Sequence, residues 1–284
     1  MASLMRLIAR LPLAWLHSAG AVLGWLVYRV SPVYAARMRE NLDGSGIYAD
    51  AAARERALRL CIAETGKGAL ETAKIWFGGL DEVIGLVECD TWHLVDEARS
   101  RGRGVIMLTP HLGCFEVIAP YVAHRTPLTA LYRPPRQKWL GPLMLRGRTR
   151  GQASISPANL RGVRTLYKAL QRGECVAVLP DQAPQVGDGT WADFFGRPAY
   201  TMTLVRRLQK QTGAAVVFMF AERLPAGKGY RLHFESYAGS ELDEREMNLG
   251  VERLIRRCPT QYLWSYNRYK VPAGAPKPVP PTNP

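Results

Sequence analysis

Gly104-Val105-Ile106-Met107-Leu108-Thr109-Pro110-His111-Leu112-Gly113-Cys114-Phe115-Glu116 is the stretch from which the fold can be read. Val105 to Leu108 is a short apolar run that reads as a buried strand, and Thr109 and Pro110 stop it. A basic ring and a carboxylate follow, His111 and Glu116. Their spacing alone says little: 5 His and 24 acids among 284 residues supply roughly 0.4 such pairs by chance. Position says more, because open α/β sheets present their chemistry at strand-to-helix turns. A neutral imidazole accepts a proton near pH 7, and a nearby carboxylate fixes its tautomer and stabilises the imidazolium. That pairing activates a hydroxyl for attack on an acyl group. The alternative is a histidine that only packs or caps a strand end.

Outward from this stretch, two periodicities alternate. Apolar and small residues recur at three- and four-residue steps over 48–77, which predicts one long helix. Residues 83–87 read as a strand and 92–101 as a helix, and a further helix begins near Cys114. Leu128–Tyr132 reads as a strand, 139–145 as helical, 160–172 as a helix closed by Gly173, and 175–179 as a strand. Residues 201–212 are predicted helical up to Gly213. Residues 214–221 read as a buried strand, with Tyr230–Ser236 its hairpin partner across a Pro-Ala-Gly-Lys-Gly turn. A helix over 242–257 and a short strand over 262–264 complete the pattern. Strands alternating with helices predict an α/β fold, a single domain with a mixed, mostly parallel central sheet covered by helices.

The two ends differ from this middle. Residues 11–28 contain no Lys, Arg, Asp or Glu. As a helix they span about 27 Å, just short of a hydrocarbon core of roughly 30 Å. Arg6 and Arg10 flank one side, and Arg29, Arg37 and Arg39 the other. That symmetry suits a helix lying shallowly in the cytoplasmic leaflet, its arginines reaching anionic headgroups. A buried core helix is one alternative. A signal peptide cleaved after Ala19-Gly20-Ala21 is another, disfavoured by Pro12 and His17. Six prolines in residues 271–284 preclude a continuing helix or central strand there. The reading is therefore a membrane-anchoring segment over 1–30, a catalytic domain over 31–270 and a Pro-rich flexible tail over 271–284.

The chain is basic, with 38 Lys plus Arg against 24 Asp plus Glu and a net charge of +14. Such a balance argues for anionic partners. Between Val117 and Gly173 there is no acid but eleven basic residues: Arg125, Arg133, Arg136, Lys138, Arg146, Arg148, Arg150, Arg161, Arg164, Lys168 and Arg172. A surface that holds phosphate would exclude carboxylates in this way, and arginine suits bidentate phosphate contacts. A solvated basic face without a ligand is the plainer reading. Five widely spaced cysteines offer no metal-binding spacing, so no metal is expected and the thiols read as reduced. Cys114 is an alternative nucleophile beside His111.

Six ordered blocks carry a resemblance. They are His111-Leu112-Gly113-Cys114-Phe115-Glu116, Tyr132-Arg133-Pro134, Gly147-Arg148-Thr149-Arg150, Leu179-Pro180-Asp181-Gln182, Phe194-Phe195-Gly196, and Tyr262-Leu263-Trp264 with Arg268 and Lys270. Together they resemble the lipid A biosynthesis (lauroyl/myristoyl) acyltransferases of the bacterial lysophospholipid acyltransferase superfamily. Cys114 and Phe115 depart from that pattern, which usually has Asn and Trp before the Glu. Tyr266-Asn267-Arg268 stands where His-Arg-Arg is common. The resemblance implies acyl transfer from an acyl carrier protein thioester, with no other cofactor, to a hydroxyl of a lipid A precursor. It places the site on the cytoplasmic face of the inner membrane, among anionic lipids. Alternatives are another glycolipid or lysophospholipid acceptor, or a basic module that binds nucleic acid or membrane. No nucleic-acid partner is expected, since the basic stretch matches no such motif.

In this reading His111 deprotonates the acceptor hydroxyl and Glu116 orients His111. Five residues at 100° each set the two about 140° apart around a continuous helix, so His111 must sit in the turn, with the helix starting near Gly113. Arg148 is the family-matched group for acceptor phosphate or the developing oxyanion. Asp181 follows a strand and, in a parallel arrangement, shares a rim of the sheet with His111. Its alternative is a structural cap. Gln182 and Arg133 are further candidate substrate contacts. Cys114→Ser distinguishes the two mechanisms in a transfer assay: direct attack predicts little change, and an acyl-cysteine intermediate predicts loss of transfer.

Overall fold

The strand Val105–Leu108 is buried along its whole length. Its side chains alternate, Val105 and Met107 entering the core on one face of the sheet and Ile106 and Leu108 the core on the other. The molecule, a computed structural model that describes residues 2–135 and 137–278, is built around that double burial. Arg136 and residues 279–284 of the proline-rich tail lie outside the described residues.

Three helices open the chain: α1 (Ala2–Ala9), α2 (Leu13–Val30) and α3 (Pro32–Gly44). The long α4 (Ala51–Phe77) follows, capped by the Asp50 carboxylate, which accepts from the amides of Ala52 and Ala53. Next come α5 (Leu80–Gly85), β1 (Val87–Glu88), α6 (His93–Ser100), the strand already described as β2 (Val105–Leu108), α7 (Phe115–Arg125) and β3 (Leu128–Tyr132). The chain continues through α8 (Leu140–Arg148), β4 (Ala153–Pro157), α9 (Leu160–Gln171), β5 (Cys175–Val178) and the hairpin β6 (Gly189–Phe194) and β7 (Arg197–Met202). It closes with α10 (Leu204–Thr212), β8 (Ala215–Arg223), β9 (Tyr230–Ser236) and α11 (Glu244–Arg257).

Seven strands form one sheet in the order β1-β9-β8-β2-β5-β3-β4. β8, β2, β5, β3 and β4 run parallel, whereas β9 is antiparallel to β8 and parallel to β1. The mixed, mostly parallel sheet covered by helices is thus observed. Local readings failed where the signal was short or polar. Residues 83–87 are the end of α5 and the start of a two-residue strand, because a short apolar run carries no period that separates helix from strand. β4 (Ala-Ser-Ile-Ser-Pro) was not foreseen: it is a polar edge strand, where proline is tolerated. The β6–β7 hairpin was also missed. Its turn holds Phe195 at φ 49°, and the Phe195 amide donates to Glu252 Oε1 at 2.6 Å. Residues 201–202 end β7 instead of opening a helix, and residues 262–264 contribute only a single bridge, Leu112 with Tyr262.

The helix expected over 11–28 is observed as α2, and the preceding α1 meets it at a bend of 113°. No single described helix is long and apolar enough to cross a membrane. α2 lies against α4 through a stripe without side chains: a Cβ on Gly66 would sit 2.0 Å from the Gly20 carbonyl oxygen, and one on Gly24 would sit 2.2 Å from that of Ile62. Lys74 on α4 donates to the carbonyls of Ala9 and Leu11, fixing the bend. The opposite face of α2 exposes Trp15, Val22, Leu26 and Val30 at helical spacing, Val22 being 70% exposed. Gly66→Ala gains up to about 1 kcal/mol of helix propensity but meets backbone that cannot yield. We predict net destabilisation of about 2 kcal/mol in chemical denaturation, with Gly85→Ala, which meets nothing within 4 Å, as the neutral control.

Candidate active site

β2 and β5 are neighbours in parallel register, Leu108 opposite Val178. Three residues beyond each stand His111 and Asp181, so adjacency of the strands brings the two side chains together at one rim. His111 Nδ1 lies 2.8 Å from Asp181 Oδ1, and the His111 amide donates to Asp181 Oδ2 at 2.9 Å. Burial would raise the Asp181 carboxyl, but the charge and hydrogen bonds of His111 outweigh it and hold it below the ordinary carboxylate range. An anionic Asp181 makes Nδ1 the protonated nitrogen and leaves Nε2 as the acceptor. Gln182 Nε2 faces that nitrogen at 3.2 Å, and the ring of Phe115 packs edge-on to the imidazole at 4.8 Å.

The turn that carries His111 is held along its backbone. The His111 carbonyl accepts from the Leu263 amide at 3.0 Å, the Gly113 amide donates to the Gln261 carbonyl at 3.1 Å, and the Cys114 amide donates to the Ala221 carbonyl at 2.8 Å. Gly113 has φ 61°, and a Cβ there would meet the Ala221 oxygen at 1.9 Å, so only glycine fits. The helix begins at Phe115, which leaves His111 in the turn.

Glu116 does not supply the hydrogen bond that orients His111. Its carboxylate accepts from Trp76 Nε1 at 2.9 Å and from Arg148, through Nε at 3.0 Å and through Nη2. The physical reason is its place on the first turn of α7, facing α4 and α8, whereas Asp181 extends from the strand beside His111. Arg148 is correspondingly engaged, leaving Nη1 for any further contact. Gly147 packs under Trp76, where a Cβ would come 2.2 Å from Cγ. Arg150 donates to the carbonyl of Gly78 at 2.7 Å and to that of Ile75, closing the end of α4. The Gly-Arg-x-Arg element is thus bound to α4 and α7. Arg268 is likewise 2% exposed and donates to Tyr200 and Thr201, so it fastens β7.

His111 and Glu116 nonetheless border one cavity of about 230 Å³. Cys114 and Phe115 complete that wall, Thr65, Gly68, Ala69 and Thr72 of α4 form the opposite one, and Glu64, Glu71, Arg223, Gln261 and Leu263 close it. Burial, then the charge of Glu71, pushes the Cys114 thiol well above its ordinary range, so it is not a ready nucleophile at neutral pH. No group of three or more His, Cys, Asp or Glu able to hold a metal ion occurs among the described residues.

Four of the eleven basic residues in the acid-free stretch are committed within the fold. Besides Arg148 and Arg150, Arg125 lies 3.9 Å over the Tyr121 ring and Arg172 pairs with Glu174. Arg133, Lys138, Arg146, Arg161, Arg164 and Lys168 are exposed and form no ion pair among the described residues. Trp76, Arg223, Glu71 and Gln261 were not singled out from sequence. Trp76 read as one of many apolar helix positions, and nothing local marks the others.

Residues 1–271 match the family model described as bacterial lipid A biosynthesis acyltransferase. The chain is 26% identical over 278 residues to the lipid A biosynthesis lauroyltransferase of Escherichia coli (strain K12), covering 95% of this chain and 90% of that relative. To the lipid A biosynthesis palmitoleoyltransferase of the same organism it is 29% identical over 244 residues, covering 83% and 79%.

Two substitutions separate the carboxylates. Asp181→Asn withdraws the charge that fixes the His111 tautomer, and kcat should fall by about 10²–10⁴ in a steady-state assay. The depressed carboxyl also stabilises the fold above the ordinary carboxylate range, and that contribution is lost as pH falls through the folded-state value. Glu116→Ala leaves Arg148 half-buried without its partner, and chemical denaturation should show a loss of about 3 kcal/mol.

Proposed function

The chain belongs to the bacterial lipid A biosynthesis acyltransferase family, and from that premise we propose that it moves a fatty acyl group from an acyl carrier protein thioester to a hydroxyl of a lipid A precursor. The observation that carries the mechanism is the imidazole of His111, tied at Nδ1 to buried Asp181 at 2.8 Å, in a residue that borders a cavity. Nε2 takes the proton of the acceptor hydroxyl as its oxygen attacks the thioester carbonyl. The tetrahedral oxyanion collapses, the C–S bond breaks, and the departing thiolate recovers the proton from the imidazolium, whose charge Asp181 balances. Thioester chemistry supplies the driving force, and no other cofactor enters. Gln182 Nε2, 3.2 Å from His111 Nε2, occupies that nitrogen's lone pair in the free protein, and the acceptor hydroxyl displaces it before giving up its proton. Glu116 acts through Arg148, which it holds by Nε and Nη2, and Arg148 is the candidate group for acceptor phosphate or oxyanion.

The remaining exposed basic residues, Arg133 among them, suit a phosphorylated acceptor and an acidic carrier protein. The exposed apolar residues of α1, the bend after it, α2 and the start of α3, namely Leu4, Leu7, Leu11, Trp15, Val22, Leu26, Val30 and Val33, suit burial in the headgroup region. In this reading α1 and α2 lie in the plane of the cytoplasmic leaflet of the inner membrane, against anionic lipids, with the catalytic domain beneath them.

Mass spectrometry of lipid A from a deletion strain tests the assignment: it should lack one acyl chain, restored by the wild-type gene and not by His111→Ala. Unaltered lipid A in the deletion strain, or full restoration by His111→Ala, overturns it. Purified enzyme given an acyl carrier protein thioester or a coenzyme A thioester with the same acceptor decides the donor.

A further inference from the structure

One chain of buried ionisable side chains has no step in acyl transfer. His17, on the inner face of α2, lies 3.0 Å from Glu71 Oε2, to which Tyr230 also donates at 3.1 Å. Glu71 Oε1 accepts from Arg223 Nε at 2.8 Å. Nη2 of the same guanidinium donates to the Gly113 carbonyl at 2.7 Å, and Nη1 lies 3.4 Å from Glu64. The Arg223 backbone is fixed too, its amide and carbonyl both bonded to the Gln261 side chain. Burial alone would raise the Glu71 carboxyl; the Arg223 charge and the His17 contact instead hold it at about 2.

Stability gives little reason to bury such a set, since well-packed apolar replacements are often as stable. Geometry gives a better one. A guanidinium is a planar fork that fixes a carboxylate and a carbonyl at set directions. The carbonyl here is that of Gly113, two residues from His111, in a turn with no room for a Cβ. Its amide hangs from the Gln261 backbone, and the Gln261 side chain grips Arg223. Moving Arg223 therefore moves the turn.

We infer that Arg223 is a positioning residue for acyl transfer: through Glu71 it links the seat of α2 to the Gly113 carbonyl, and so sets the turn that carries His111. The inference rests on His111 being the base.

Two variants of the full-length protein test the link. Arg223→Lys keeps the charge and loses the fork, so kcat should fall roughly 10- to 100-fold with KM for both substrates within about twofold. His17→Gln, at the far end, should lower kcat in the same direction and speed amide hydrogen exchange at Gly113 and Cys114. Added to Arg223→Lys it should cost nothing more, because the connection is already cut. Losses that multiply in the double variant, or unchanged kcat and exchange in His17→Gln, overturn the link. If Arg223→Lys does not fold, the exchange of His17→Gln decides alone. Near-normal turnover in His111→Ala would sink the base assignment instead, and exchange would still answer for the link.

Discussion

Two hydrogen bonds between Asp181 and His111, one to the ring and one to the backbone, tie together the ends of the two central strands. They do so only because β2 and β5 are adjacent and in register. The same contact fixes the imidazole tautomer, anchors the first residue of the turn before α7 and satisfies a buried carboxylate. Burying that carboxylate unpaired would be costly, so the polar network and the sheet topology stabilise one another.

Around this contact the protein keeps its charges apart in function. Asp181 faces the ring of His111, while Glu116 faces Arg148 and Trp76. Two carboxylates beside one histidine would compete for it. Here the second is neutralised by a guanidinium and joins α7 to α4 and α8. The Gly-Arg-x-Arg element that resembled a ligand-binding block from its residues is, in space, the clamp that holds Glu116 and closes α4. Its glycine is there because the Trp76 ring lies against it.

The N-terminal helices extend the same economy of contact outward. α2 approaches α4 closely enough that glycine backbones touch, while Trp15, Val22, Leu26 and Val30 face away from the protein. The helix is thus apolar on both faces, one packed inside the fold and one exposed.

Sequence alone settled the class of the fold. The uninterrupted run Val105–Leu108 can be buried on both faces only in a sheet covered by helices, and the stop at Thr109-Pro110 placed His111 at a strand end. The ordered blocks settled the family, and helical geometry put His111 in a turn ahead of its helix. Tertiary structure decided which acid serves the histidine. His111 and Glu116 are five residues apart and His111 and Asp181 seventy, yet only the second pair is in contact, because strand order, not chain distance, determines neighbours at a sheet rim. Polar edge strands such as β4 and the buried chain from His17 to Gly113 were equally hidden. Their residues leave no period in the sequence, and each owes its conformation or its charge to partners contributed by distant segments.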